Sequence, residues 1–67
     1  MIFTCMYEFI NSDIERLNLR VNDFIKFNEE RGYYVVKQET LMQLHPEHQD
    51  LMVLVSVWME KRDDRVN

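Results

Sequence analysis

The sequence predicts an α+β fold of order β-α-β-β, a three-stranded sheet in the order 1-3-2 with one helix packed on one face. Three observations predict it. Ser12 to Gly32 has apolar residues at Ile14, Leu17, Val21, Phe24 and Ile25, the spacing of a helix with one core-facing stripe. Strand-like stretches flank it at Ile2–Phe9, Tyr33–Leu44 and Leu51–Met59. The last of these is apolar on both faces, which suits a central strand.

The first strand divides into Phe3, Cys5, Tyr7 and Phe9 on one side and Ile2, Thr4, Met6 and Glu8 on the other. The first set is the more apolar, so Cys5 is expected to be a buried, inert thiol. Ser12 followed by Glu15 fits a capping box at the helix start. Gly32 fits the left-handed residue that follows a helix end. Phe27, at the border of the stripe, is expected to cover a sheet edge, and Asn28 needs a hydrogen-bond partner if it is buried. Opposite the stripe lies Leu19, with Glu15, Asp23, Lys26 and Glu30 around it.

In the second strand a polar middle, Lys37-Gln38-Glu39-Thr40, separates Tyr33–Val36 from Leu41, Met42 and Leu44. Such a break suits an edge strand or a bulge. His45-Pro46-Glu47-His48-Gln49-Asp50 reads as the turn of a hairpin. The third strand presents Leu51, Val53, Val55, Val57 and Met59 on one face and Met52, Leu54, Ser56 and Trp58 on the other. One helix can cover only the first face, so the second is expected to form a homodimer interface. Residues 61–67 are expected to be a frayed tail.

At 67 residues the chain makes one domain, short enough that self-association would help its stability. Its lone cysteine forms no internal disulfide. Met1 leads straight into a strand pattern with no secretory leader, so a full-length chain in the reducing cytoplasm is expected. No apolar run reaches the roughly 20 residues that span a bilayer. Twelve acidic against eight basic residues give a net charge of −4, which disfavours direct binding to nucleic acid or an anionic membrane and favours a basic protein partner.

No catalytic set is legible. With a single glycine there is no phosphate-cradling loop. His45 and His48, with Glu47 and Asp50, are the nearest approach to metal ligands, but two turn imidazoles lack the companions a zinc site needs. No enzyme activity, cofactor or metal is expected. The candidate protein-binding surface is acidic: Glu15, Leu19, Asp23 and Glu30 on the helix, extended by Glu39, Glu47 and Asp50.

In size, charge and lack of motifs the whole chain resembles the small acidic early proteins with which phages take over host machinery, some of which imitate the charge of DNA. That resemblance implies an inhibitor occupying the nucleic-acid site of a host DNA-binding protein. The strand–helix–strand–strand order, with Glu15, Leu17, Asn22 and Phe24 in the helix, is also similar to small sporulation-associated proteins of Gram-positive bacteria, whose helix has the pattern E-x-L-x-x-x-x-N-x-F. The alternative function is a structural or regulatory interaction domain that docks through its apolar sheet face.

Overall fold

The computed structural model describes residues 1–62. Strand β1 (Ile2–Phe9) is followed by helix α1 (Ile14–Glu29), strand β2 (Tyr33–Leu44) and strand β3 (Leu51–Lys61). The three strands form one antiparallel sheet in the order β1-β3-β2, as the sequence predicts. The helix is the crossover between the two outer strands and lies on one face of the sheet.

The core is the contact between that helix and the odd-numbered row of β3. Leu17 and Val21 meet Val55, Val57 and Met59, all buried. Ile2, Met6, Phe24, Ile25, Tyr33, Val35 and Val53 close around them. Removing this apolar area from water is the main favourable contribution in so short a chain.

Which side of β1 faces the core follows from its register. Ile2 pairs with Met59, Thr4 with Val57 and Met6 with Val55. Those β1 residues therefore share the helix side of the sheet. Phe3, Cys5 and Tyr7 pair with Trp58, Ser56 and Leu54 and lie on the other face. This corrects the expectation for Cys5, whose thiol is exposed. The more aromatic side of β1 looks outward because both sides of β3 are apolar, and strand pairing rather than hydrophobicity decides which of them β1 joins.

The helix start also departs from expectation. Asp13 is the N-cap, and it makes no side-chain capping bond. Ser12 instead closes a turn, its N–H donating to Phe9 O at 2.9 Å. At the other end Gly32 has φ +90, a left-handed value that only glycine adopts at little cost. Asn28 is buried and satisfied, its Nδ2 donating to Phe24 O at 2.8 Å within the helix. Phe27 covers no sheet edge. It is exposed, with the Arg31 guanidinium 5.4 Å above its ring.

Strand β2 is an edge strand, as its polar middle suggests, and its register shift falls just before that middle, between Val35 and Lys37. From Lys37 to Leu44 every residue is exposed, including Gln38, Thr40, Met42 and Leu44 on the helix side. The helix reaches only the beginning of this strand. Leu51, in the same outlying region, is exposed as well. Lys61 and Arg62 are not part of a frayed tail as expected: β3 runs through Lys61, and the Arg62 N–H donates to Gly32 O at 2.7 Å. The remaining tail, 63–67, lies outside the described residues.

Leu17 is the test of this core, since it is fully buried against the sheet. Leu17→Ala should cost about 2–5 kcal/mol in denaturant unfolding, a large share of the stability of a domain of this size. A variant with the parent's unfolding midpoint would mean that α1 is docked through a different face.

Candidate protein-docking surfaces

The face of the sheet away from the helix is left uncovered by the described residues and carries exposed apolar side chains from all three strands. It is built in rows by the strand register. Phe3, Trp58 and Lys37 form one row, then Cys5, Ser56 and Glu39, then Tyr7, Leu54 and Leu41, and last Phe9, Met52 and Gln43. Alternation along each strand puts these residues on one side. Phe3 is 53% exposed and Leu41 59%, while Leu54 and Trp58 are half-buried by their neighbours.

Trp58 anchors one end of this face. Its ring lies 4.9 Å from that of Phe3, and the Lys37 ammonium stands 4.9 Å from its centroid. Lys37 also approaches Glu39 at 3.7 Å. Both ions are largely exposed, so the pair adds little stability. It does neutralise the charge on that edge. Glu60 lies at the far margin, where its carboxylate accepts from the Tyr34 hydroxyl at 3.4 Å.

The other end is closed by the hairpin turn. His45 Nδ1 accepts from the N–H groups of Glu47 at 3.1 Å and His48 at 3.2 Å, which ties the turn together. The His45 ring lies 4.6 Å from that of His48 and 5.5 Å from that of Phe9. Gln49 takes a left-handed φ of 58 to complete the turn. In this aromatic corner Met52 is only 7% exposed. Of the four residues expected to form a dimer interface, Met52 is therefore buried within the chain itself. Leu54, Ser56 and Trp58 lie in the open face as expected.

The acidic residues do not converge on one surface. Glu15, Leu19, Asp23 and Glu30 are exposed on the outer side of the helix, and Leu19 is 63% exposed. Glu39 points from the opposite side of the molecule, on the open sheet face. Glu47 and Asp50 belong to the hairpin turn. The helix also exposes Arg16, Arg20 and Lys26, so its outer surface is of mixed charge. A helical projection had shown the carboxylates sharing a side, but it could not show how the strand and turn acids sit relative to the helix.

Among the described residues no three His, Cys, Asp or Glu side chains group to hold a metal ion. A shallow cleft of about 250 Å³ lies beyond the helix end, lined by Glu29, Gly32, Tyr33, Tyr34 and Arg62. That is below the usual size of a small-molecule site. None of the described helices is long and apolar enough to cross a membrane. No protein-family model, curated protein or solved structure matches this chain.

The thiol of Cys5 reports directly on the open face. A maleimide should label it in the folded chain without denaturant, because no described side chain covers it. Protection that denaturant removes would show that this face is covered in solution.

Proposed function

We propose that the chain is a non-enzymatic protein-binding module that docks through the open face of its sheet. The observation that supports this most is the row structure of that face: Phe3, Cys5, Tyr7, Leu41, Leu54 and Trp58 form a continuous apolar area, edged by ions that neutralise one another. An apolar centre with a polar margin is the anatomy of a protein interface. The partner this face fits is an uncharged apolar surface on another protein, since Lys37 and Glu39 together offer no net charge to attract an ion.

A second reading is electrostatic. Leu19, exposed amid Glu15, Asp23 and Glu30, would give a basic host protein an apolar contact inside a ring of carboxylates. This is the form a DNA-mimicking inhibitor would take on this fold. The arginines beside that ring weaken its field, and on that ground the sheet face is the favoured surface.

Salt separates the two readings. Raising it from about 0.1 M to about 1 M shortens the Debye length from about 10 Å to about 3 Å. Capture of a partner from host lysate should survive that change, and should also survive reversal of Glu15, Asp23 and Glu30 to Lys. Leu54→Asp should abolish it while the circular dichroism of the chain stays that of the parent. Capture that is lost in high salt and in the triple reversal, yet kept by Leu54→Asp, would favour the helix surface instead.

A further inference from the structure

The outer edge of β2 is a separate surface from the docking face and carries its own inference. Among the described residues β2 pairs with β3 alone. Three hydrogen bonds show where its backbone groups point. The His45 N–H donates to Asp50 O at 2.8 Å and the Arg62 N–H to Gly32 O at 2.7 Å, so the even-numbered residues at both ends of β3 turn towards β2. The Ile10 N–H donates to Leu51 O at 2.9 Å, so the odd-numbered ones turn towards β1. In an antiparallel ladder, pairs that exchange both bonds alternate with pairs whose groups point away. Gln38, Thr40, Met42 and Leu44 lie opposite Val57, Val55, Val53 and Leu51. Their N–H and C=O groups are therefore directed outward, to the uncovered edge.

Sheets commonly protect such an edge with charge, proline or a bulge. Here those devices lie in the first half of the strand: the irregularity at Val36, then Lys37 and Glu39. Thr40-Leu41-Met42-Gln43-Leu44 has none of them. Leu41, Met42 and Leu44 are 59%, 58% and 59% exposed, so this segment is uncovered on both faces as well as along its edge.

We propose that this half-strand pairs with the same segment of a second copy of the chain, antiparallel, about a two-fold axis at Met42. The residues on either side of the axis select that occupant. Centred on Met42, Thr40 stands opposite Leu44 of the second copy, and Met42 opposite its own counterpart. All have outward backbone groups, so each such pair can exchange both hydrogen bonds. The flanks are complementary. Glu39 comes level with His45 of the second copy, the residue just after β2, whose N–H still donates to Asp50 O and whose Nδ1 accepts from its own turn, so an acid stands opposite an imidazole that has Nε2–H as its donor. A complementary polar pair across two strands stabilises their pairing. A centre at Leu41 would set Lys37 against His45 and Glu39 against Gln43, so the acid would lose its imidazole. The bulge at Val36 falls outside the paired stretch. The product is a continuous sheet in the order β1-β3-β2-β2-β3-β1, with both helices on one side and the two open faces joined on the other.

Met42→Pro tests this directly. The Met42 N–H points to the edge, so proline removes no bond to β3, and an edge strand accommodates it there. In analytical ultracentrifugation the parent should show a concentration-dependent dimer, and Met42→Pro should be a monomer with the parent's circular dichroism. A parent that stays monomeric throughout, or a folded Met42→Pro that still dimerises, overturns the proposal. If proline unfolds the chain, a cysteine decides. With Cys5→Ser as background, Met42→Cys places its thiol on the axis, at the roughly 5.5 Å Cα separation of a bonded pair, within reach of a disulfide. Under mild oxidation it should form crosslinked dimer far faster than Glu30→Cys in the same background, and equal rates overturn the proposal. The exposed Cys5 thiol of the parent, on β1 at the far side of the sheet, should take a maleimide equally fast in monomer and dimer. Slower labelling of the dimer would place the contact on the open sheet face, against the proposal and in favour of that face as the interface.

Discussion

Everything in this small domain depends on one helix having to serve a sheet that is apolar on both sides. Leu17 and Val21 can be buried against only one row of β3, and they take Val55, Val57 and Met59. That contact fixes the inside of the molecule. It leaves Leu54 and Trp58, and with them Phe3 and Tyr7 from β1, on a face that no other described element covers. A large protein would cover such a face with another helix. A chain of 67 residues has none to spare, because its surface is large relative to its volume.

The helix is also shorter than the hairpin beside it. Sixteen helical residues extend about 24 Å, whereas the twelve residues of β2 reach about 40 Å. The far part of the hairpin therefore stands clear of the helix. There the turn supplies its own cover, with the tilted rings of His45 and His48 packed near Phe9. Thr40–Leu44 has no such cover, and its outward backbone groups meet only solvent. The two candidate surfaces, an open face and an unprotected half-edge, are thus two consequences of one shortage.

Periodicity made the helix legible, because a stripe at 3.6-residue spacing is a local property of the chain. Leu19 could be placed on the outer side by the same reasoning. Phe27 could not, since a border residue is covered or left exposed by the tilt of the helix over the sheet. The helix start was misread for a similar reason. Ser12 and Glu15 have the residue types of a capping box, but Asp13 begins the helix and Ser12 is drawn into the turn after β1. The bulge in β2 was visible as a break in apolar character. That the backbone of Met42 points outward was not, because it depends on which residue of β3 stands opposite.

By itself the sequence determined the number and kind of elements, the central place of β3, and the presence of more apolar sheet surface than one helix can cover. Each of these rests on the order and period of residue types along the chain. Only the tertiary structure decided that Cys5 and its aromatic neighbours face outward while Ile2 and Met6 face the core. The physical reason is strand register. A slip of one residue between β1 and β3 would exchange the two sides of β1, and both sides are apolar enough that neither composition nor period selects between them. The register of β2 on β3 separates Glu39 from the carboxylates of the helix, so acids that read as one field in the sequence stand on opposite sides of the sheet.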